Sequence, residues 1–505
     1  MRGLTRGGSR PVATRRRRAE ALLLVLVVAV AAFGHAAAAM AMTGELPRAT
    51  YEFAASVALI ALAGHLTVRR YAAYADPLIL PLALLLSGLG LVLLYRLDPT
   101  YAHKFKSEAT ASGQLIWTVI GFAVALVTLA ALRDHRRLQR YIYLCMATAL
   151  VLLMAPAFFP GDTYGAKRWI FIGSFSLQPG EFVKIMIAVF FAGYLVVHKD
   201  SLALTGRKVF GVRLPPGRQL APILAIWVLS LLVLIFERDL GTSLIFFGLF
   251  VVMLYVATER AGWILTGLVM AAIGAFVVGS TEPHVKGRIV AWQHPFDIYL
   301  PPAQRPPGLI SDQAAQALFS FGSGGMTGTG LGRGHPELVG FAGRSDFILS
   351  TVGEELGLAG VMAVLVLYAL LVQRGLRAAL GAHDGFGKLL ATGLAAALAL
   401  QVFVVAGGVT GLIPLTGKAL PFLAKGGSSL VANWVMIALL IRISDSGERR
   451  REAEQAAPEA ELTQPAPSPR AEAHPQEGRG AVFPGRLHRS GATSRLWPEA
   501  EDPHP

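Results

Sequence analysis

Apolar stretches of about 18 to 24 residues recur along the chain, separated by shorter polar or charged segments. A helix of about 20 residues crosses the roughly 30 Å of hydrocarbon in a bilayer, so each stretch predicts a membrane-spanning helix. The pattern therefore predicts an all-α polytopic membrane protein with about twelve transmembrane helices. The predicted spans cover residues 19–40, 50–68, 77–96, 114–132, 141–159, 175–197, 219–236, 240–258, 262–280, 346–373, 387–410 and 425–443.

Lysine and arginine collect in alternate connections between the predicted spans, and short basic loops stay on the cytoplasmic side of a membrane. The expected cytoplasmic segments contain Arg69 and Arg70, the run 133–140, the loop 199–218, Arg374 and Arg377, and the run after residue 441. Both chain ends are then cytoplasmic. The first span also resembles a signal peptide with a small-residue cleavage site, and cleavage would leave the remaining orientation unchanged.

Three segments outside the spans differ in composition. Residues 1–18 carry seven arginines and no acidic residue, and residues 444–505 are rich in Pro, Glu, Ala, Arg and Gly. Neither segment can bury enough apolar surface to offset chain entropy, so both are expected to be disordered cytoplasmic tails. Residues 281–345 form one long extracytoplasmic loop with aromatic residues and a glycine-rich run. Such long connections are usually functional or disordered, and this content predicts an ordered, functional loop.

The overall composition excludes several classes of protein. Of the 505 residues, 54% are hydrophobic and 15% are charged, whereas about a quarter are charged in a typical soluble domain. The single cysteine, Cys145, excludes an intramolecular disulfide, and the sequence has no repeated Cys/His cluster for structural zinc. The net charge is +14, and the seven arginines at the N-terminus make up about half of it. Their place ahead of an apolar run favours membrane orientation over nucleic-acid binding.

The first polar cluster lies between the fifth and sixth predicted spans. Lys167 and Arg168 adjoin Trp169, and Glu181 and Lys184 are spaced to share one face of the next helix. Cations at a low-dielectric boundary suit a phosphate or diphosphate. An interfacial aromatic belt with snorkelling cations and an internal ion pair is the alternative interpretation.

Asp239 follows in a tight turn between the seventh and eighth predicted spans. An aspartate at the start of a helix commonly caps free backbone N–H groups. In a partly apolar outer cavity, the same carboxylate can act as a general base. The spacing alone leaves both interpretations open.

The outer loop and residues 409–434 hold the remaining candidates. The glycine-rich run 322–334 allows close approach of an anionic or sugar ligand, but it has no phosphate-loop or dinucleotide fingerprint. Glu354 and Glu355 point about 100° apart on a helix, so at most one of them naturally faces a given cavity. Two prolines and several glycines in 409–434 indicate a re-entrant or broken segment. Ser428 in this segment equally fits plain helix packing.

Five motifs resemble, in order and spacing, those of the shape, elongation, division and sporulation (SEDS) family of integral-membrane peptidoglycan polymerases. They are GAKRWIFIGSFSLQPGEFVK, RDLGTS, ALFSFGSGGMTGTGLG, SDFILSTVGEELGLAG and GLIPLTGKALPFLAKGGSSLVANW. The resemblance covers residues 77–443 and implies a ten-helix core, with residues 19–76 as two additional N-terminal helices. Two features depart from the family pattern: Ala424-Lys425 replaces a common Ser-Tyr, and Arg238 replaces the usual Pro.

The resemblance implies an inverting glycosyltransferase that polymerises lipid II, an undecaprenyl-diphosphate disaccharide-pentapeptide, at the outer face of the cytoplasmic membrane. Asp239 matches the family's essential aspartate, which implies that it takes the proton of the attacking sugar hydroxyl or holds a divalent cation, Mg²⁺ or Mn²⁺, that helps to do so. No organic cofactor is implied. The diphosphate leaving group needs nearby positive charge in the transition state. The predicted substrate-binding residues are Lys167, Arg168, Trp169, Gln178, Glu181, Lys184, Arg288, Gln316, Gly324, Gly325, Asp346, Glu354, Lys418 and Ser428.

The resemblance also implies partners, because family members lack cross-linking activity. We expect a class B penicillin-binding transpeptidase and other elongation or division complex proteins, in contact with membrane lipid and without nucleic acid. A role in elongation, as in RodA, is favoured over a role in division, as in FtsW. A lipid flippase or transporter is the alternative, since twelve spans, a broken helix and intramembrane charges suit alternating access. A non-catalytic scaffold of a cell-wall complex is a third hypothesis.

The predicted topology can be tested at Arg305, in the expected outer loop. A cysteine at this position, in a Cys145→Ser background, should react with a membrane-impermeant maleimide in intact cells, because its flanking spans point outward. Reaction only after the membrane is permeabilised would overturn the topology.

Overall fold

A computed structural model describes residues 12–159, 169–172, 175–203, 208–209, 212–213, 228, 239–309 and 311–463. The chain divides into two units, residues 1–455 and 456–505. In the second unit, the described residues 456–463 are helical. The fold and the site described below belong to the first unit.

The described residues are almost entirely helical. The α-helices are α1 (Val12–Thr43), α2 (Arg48–Tyr71), α3 (Ile79–Phe105), α4 (Ala111–Ala131), α5 (Ile142–Phe158), α6 (Pro179–Ala203), α7 (Leu240–Thr258), α8 (Gly262–Thr281), α9 (Pro283–Gln293), α10 (Gln313–Gly324), α11 (Ile348–Gly381), α12 (Gly385–Val409) and α13 (Gly427–Thr463). Short 3-10 helices lie at His135–Tyr141, Pro295–Tyr299, Pro302–Gln304 and Pro336–Arg344. Two small antiparallel hairpins pair β1 (Ile170–Ile172) with β2 (Phe175–Leu177) and β3 (Lys208–Val209) with β4 (Val212–Arg213).

Eleven helical segments among the described residues are long and apolar enough to cross a membrane. They correspond to eleven of the predicted spans, and the all-α polytopic membrane fold is confirmed. The remaining predicted span, 219–236, lies outside the described residues except for position 228.

The bundle has a buried centre and an apolar outer surface. The membrane-crossing windows of α3 and α13 are 83% and 89% buried, whereas those of α5 and α8 are 17% and 28% buried. Helix α12 packs against α6, α7 and α11. The outer helices present large apolar side chains, for example Val151 and Phe276. Helices that are apolar on every face suit a position between a protein core and lipid.

Helix α11 is broken at Gly357, and the glycine-rich run of the outer loop fills the break. Gly357 has φ 67° and ψ −170°, a conformation in which a side chain is strained. Backbone N–H groups of Leu358 and Ala359 donate to the carbonyls of Gly325 and Met326 at 2.9 and 3.1 Å. Irregular backbone within a membrane-spanning helix requires hydrogen-bond partners of this kind within the protein.

A buried ion pair holds the same loop against α3. The Arg96 guanidinium pairs with the Glu355 carboxylate, and its Nη2 donates to the Gly334 carbonyl at 2.6 Å. Short helices α9 and α10 occupy much of the rest of 281–345. The described residues of 281–345 are thus held against α3 and α11, as expected of an ordered segment, and their place outside the cytoplasm stays a prediction.

Several predicted boundaries are wrong: α3 and α11, for example, continue to Phe105 and Gly381 instead of ending near 96 and 373. The sixth span begins at Pro179, because residues 170–172 and 175–177 pair as the antiparallel strands β1 and β2. Helix α1 begins at Val12, within the expected tail, and Arg16 donates to Tyr74 O and pairs with Glu448 at 2.8 Å. Helix α13 continues from 444 to 463 instead of ending near 443.

The extension of α13 has an identifiable cause in its sequence. Ion pairs at helical spacing join Arg449 to Asp445 at 2.7 Å and Arg450 to Glu454 at 3.2 Å. Pairs spaced i, i+4 stabilise a helix that has left the apolar environment.

A charged junction at the start of α12 joins it to the 3-10 helix His135–Tyr141. His135 Nε2 and Arg136 Nε both lie 3.1 Å from Asp384 Oδ1, and Gly387 N–H donates to Oδ2 at 2.7 Å. Burial alone would raise the pKa of Asp384, but these hydrogen bonds hold it well below its usual range. The carboxylate therefore caps α12 as an anion.

The break in α11 generates a prediction about stability. Gly357→Ala would place a Cβ 2.6 Å from Met326 O in a backbone conformation that favours glycine, so we expect a loss of about 1–3 kcal/mol. The control Gly381→Ala lies in the same helix with nothing within 4 Å of its added Cβ. Thermal unfolding in detergent should show a lowered midpoint for Gly357→Ala and little change for Gly381→Ala. Equal midpoints would contradict the proposed role of Gly357.

Candidate functional site

Asp239 caps the N-terminus of α7. Its Oδ1 accepts a hydrogen bond from the Thr242 backbone N–H at 3.0 Å, and its Oδ2 accepts from the Thr242 hydroxyl at 2.8 Å. The residue is 0% exposed. A helix N-terminus stabilises an anion, so this placement favours the carboxylate form. The cap interpretation of Asp239 is confirmed, but the cap accounts for only part of its contacts.

Lys418 brings a buried cation to Asp239 from the connection between α12 and α13. Its Nζ lies 3.0 Å from Asp239 Oδ2 and 3.8 Å from Glu181 Oε1, and the residue is 3% exposed. The lysine stem crosses α7 at Gly241, where an added Cβ would collide with Lys418 Cγ. Glycine at position 241 therefore allows the Lys418 ammonium to reach the Asp239 carboxylate.

Glu181 and Lys184, one turn apart on α6, extend the network of charges. Lys184 Nζ donates to Glu181 Oε2 at 2.8 Å, to Gln401 Oε1 at 2.7 Å and to Asn433 Oδ1 at 3.0 Å. The Ser429 hydroxyl donates to the same Glu181 oxygen at 3.0 Å. All three N–H donors of the Lys184 ammonium are thus used.

The resulting buried charge network consists of Asp239, Lys418, Glu181 and Lys184, in this order. Counted over these four described residues, the charges alternate in sign and sum to zero. An isolated charge is costly inside a protein or membrane and is tolerated when it is paired and hydrogen-bonded. Removing one member would leave an opposite charge buried without compensation, which typically destabilises by about 3–5 kcal/mol.

A cavity of about 1600 Å³ adjoins the network. Its walls come from the start of α4, the β1–β2 hairpin, α9, α10 and the α12–α13 connection. Gln178, Ser428 and Ser429 line the cavity, and Gln178 N–H donates to the Ser428 hydroxyl at 3.1 Å. Since Ser429 also donates to Glu181, the cavity wall is continuous with the charge network.

Among the residues that the structure describes, three cationic side chains line the cavity. Arg288 on α9 donates to the carbonyls of Leu415 and Thr416 at 3.3 and 2.8 Å, which ties α9 to the connection that bears Lys418. Arg344 lies about 5 Å from the rings of Tyr101 and Phe341 (5.1 and 5.2 Å) and is buried.

Lys425 is exposed to this cavity, and its backbone N–H donates to the Arg344 carbonyl at 2.9 Å. Although the side chain is open to the cavity, the surrounding protein removes part of its water. This desolvation, together with the nearby charge of Arg344, makes the isolated Lys425 ammonium less favourable, while Asp98 opposes the effect. An anionic ligand in the cavity would therefore stabilise the Lys425 ammonium.

The structure brings most of the predicted site residues together. Asp239, Glu181, Lys184 and Lys418 form the charge network, and Trp169, Gln178, Arg288, Asp346 and Ser428 line the cavity. Lys167 and Arg168 lie outside the described residues.

Four predicted residues instead make contacts within the segment 281–345 or between this segment and α11. Glu354 accepts from His335 N–H at 2.6 Å, and Gln316 donates to Tyr299 Oη at 2.8 Å. Gly324 packs against the N-terminal part of α11, where an added Cβ would meet Glu354 Cα at 2.8 Å. The Gly325 carbonyl accepts from Leu358 N–H at 2.9 Å in the break of α11. None of these four lines the cavity, and their contact with substrate stays a prediction.

Sequence reasoning missed several members of the site. Gln401 on α12 and Asn433 on α13 hold Lys184, and Thr242 holds Asp239. The sequence does indicate Gln401 and Asn433, because a polar side chain within an apolar span marks a functional or packing site. Arg344 was also missed, although an arginine in a segment expected on the outer face departs from the positive-inside pattern.

The donor set at Asp239 does not fit a divalent cation. Among the residues that the structure describes, no three His, Cys, Asp or Glu side chains group as metal ligands. Both oxygens of Asp239 already accept hydrogen bonds from Thr242, and the Lys418 ammonium lies 3.0 Å from Oδ2. A metal ion bound at this oxygen would be repelled by the ammonium.

Comparison with known proteins agrees with the motifs. The family model described as cell cycle protein, for FtsW, RodA and SpoVE, matches residues 76–449. The peptidoglycan glycosyltransferase RodA of Mycobacterium leprae is 46% identical over 386 residues, 76% of this chain and 80% of that protein. The probable peptidoglycan glycosyltransferase FtsW of Geobacter metallireducens is 32% identical over 375 residues, 73% of this chain and 94% of that protein.

A solved structure shows the same fold. It is a chain from a peptidoglycan synthase complex that coordinates polymerisation and crosslinking, with a TM-score of 0.56 and 23% identity over 74% of this chain and 98% of that one. The resemblance drawn from the sequence motifs is confirmed, and helices α1 and α2 precede the region that the family model matches. The chain belongs to the FtsW, RodA and SpoVE family of membrane proteins.

Proposed function

We propose that the chain is a peptidoglycan glycosyltransferase that polymerises lipid II at the outer face of the cytoplasmic membrane, with a RodA-like role in elongation. The observation that carries the proposal is the buried Asp239 carboxylate, ion-paired to Lys418 beside a cavity of about 1600 Å³. The similarity to proteins named peptidoglycan glycosyltransferase over most of both chains supports it.

In the proposed reaction, a sugar hydroxyl of one substrate attacks the sugar carbon that carries the diphosphate of the other. The new carbon–oxygen bond forms as the bond to the diphosphate breaks, and the diphosphate leaves with the electron pair. The hydroxyl proton passes to the Asp239 carboxylate, which acts as general base. Thr242 and the α7 N-terminus hold this carboxylate in one orientation.

The leaving diphosphate carries charge that the cavity can stabilise. Arg288, Arg344 and Lys425 line the cavity, and cations preorganised in a site with little water stabilise developing negative charge strongly. The aromatic rings of Trp117, Trp169 and Trp292 on the same walls offer apolar faces to the sugars and the lipid.

We propose further that the substrate reaches the cavity from the outer face of the membrane and that the chain works with protein partners. The basic connections support an orientation with both chain ends in the cytoplasm and the cavity facing outward. A class B penicillin-binding transpeptidase is the proposed partner, together with other elongation or division proteins. The similarity of fold to a chain from a complex that coordinates polymerisation and crosslinking supports a partner of this kind.

The catalytic role of Asp239 can be separated from its role as a helix cap. Asp239→Asn keeps a capping side chain, because Asn caps about as well as Asp, but it removes the negative charge and the proton acceptor. We expect the rate of glycan synthesis from purified lipid II in detergent to fall on the order of 10² to 10⁴-fold. Gel analysis of the glycan products measures this rate.

A matched control is Asp384→Asn, which alters another capping aspartate at the start of α12. It should reduce polymerisation at most a few-fold, since Asp384 lies outside the proposed site. Polymerisation by well-folded Asp239→Asn at the wild-type rate would refute the catalytic assignment. No polymerisation by the wild type would favour the flippase or scaffold hypothesis, because detergent solution has no second compartment.

The cavity cations generate a second test. Lys425→Gln removes one charge from the cavity surface, and hydrogen bonds to charged groups contribute about 1.5–3 kcal/mol, so kcat/KM for lipid II should fall about ten- to a hundredfold. Lys388→Gln makes the same change at an exposed position on α12 and should be neutral. Equal kcat/KM values for the two variants would remove Lys425 from the substrate site.

A further inference from the structure

The Lys418 ammonium occupies the position that a cation cofactor would take at Asp239. Its Nζ lies 3.0 Å from Asp239 Oδ2 and 3.8 Å from Glu181 Oε1, so one buried cation bridges two carboxylates from different helices. Two carboxylates converging on one point are an arrangement that commonly holds Mg²⁺. In this chain, the point of convergence is filled by a side chain.

The charge balance of the network leaves no place for an added cation. Asp239 and Glu181 supply two negative charges, and Lys418 and Lys184 supply two positive ones. A divalent cation between the carboxylates would leave the buried network with a charge of +2 unless Lys418 moved away. Such an uncompensated charge is strongly unfavourable in a buried site.

The local packing fixes the ammonium in place. Gly241 leaves room for the lysine stem against α7, and Arg288 holds the two residues that precede Gly417 through their carbonyls. Gln401 Nε2 donates to the Ala419 carbonyl at 3.0 Å on the other side. The backbone around Lys418 is therefore held on both flanks.

We propose that Lys418 is a positioning residue whose ammonium supplies, from within the chain, the positive charge that a divalent cation would otherwise supply at Asp239. The inference rests on the proposed glycosyltransferase function. Polymerisation then requires no divalent cation at this carboxylate, and loss of the ammonium converts the site into one that binds Mg²⁺ between Asp239 and Glu181.

The test uses the full-length protein in detergent with purified lipid II, in EDTA and in millimolar Mg²⁺. The wild type should polymerise at the same rate in both. Lys418→Met has a side chain of similar length without the charge, and it should be at least tenfold slower in EDTA and should recover at least part of this loss in Mg²⁺. Lys388→Met is the control for the substitution itself and should behave as wild type in both conditions.

Several results would overturn the inference while leaving the proposed function intact. A wild type that polymerises in Mg²⁺ and stops in EDTA would show that the ammonium does not replace the cation. A Lys418→Met protein as fast as wild type in EDTA, or one that is slow and unchanged by Mg²⁺, would show that its charge is not what Asp239 needs. If Lys418→Met fails to fold, the effect of EDTA on polymerisation by the wild type alone tests the inference. No polymerisation by the wild type in either condition would count against the proposed function itself.

Discussion

The alternating charges of Asp239, Lys418, Glu181 and Lys184 are the constraint on which the site depends. They join α6, α7 and the α12–α13 connection, and Asn433 adds α13. Each charge is at most 3% exposed and is stable in this position only with its partner. The helices that carry them are therefore held in one arrangement, and the cavity that adjoins Gln178 and Ser428 takes its shape from that arrangement.

The network in turn depends on irregular backbone that the bundle satisfies. The connection 410–426 has no regular secondary structure through most of its length, yet neighbouring helices bind its peptide groups: Tyr368 donates to the Pro421 carbonyl, Gln401 to Ala419, and Gln114 to Ala424. Helix α3 makes room for it at Gly90, where a Cβ would meet the Phe422 carbonyl at 2.7 Å. Non-helical backbone is tolerated in a membrane protein when the protein satisfies its peptide groups in this way, and this connection carries Lys418 to Asp239.

Much of this organisation could be predicted from the sequence, and the limits have physical causes. Apolar length predicted the spans because every membrane-crossing helix must meet the same thickness of hydrocarbon. The capping position of Asp239 could be predicted because it depends only on residues within the first turn of the helix. The pairing of Asp239 with Lys418 was not readable, since it joins residues that are far apart in sequence and that meet only when α7 packs beside the connection. The extension of α13 was missed although its i, i+4 charge pairs, such as Arg450 with Glu454, were present in the sequence.

The sharing of Lys418 between two carboxylates has a consequence for proton transfer. In the proposed reaction Asp239 accepts a proton from a sugar hydroxyl, which would weaken its attraction for the ammonium. A lysine with a single carboxylate partner would then be a buried charge without compensation, which would oppose the reaction. Here Glu181 Oε1 lies 3.8 Å from the same ammonium, so Lys418 keeps a negative partner in both protonation states of Asp239. The second carboxylate thus lowers the electrostatic cost of using the first as a base.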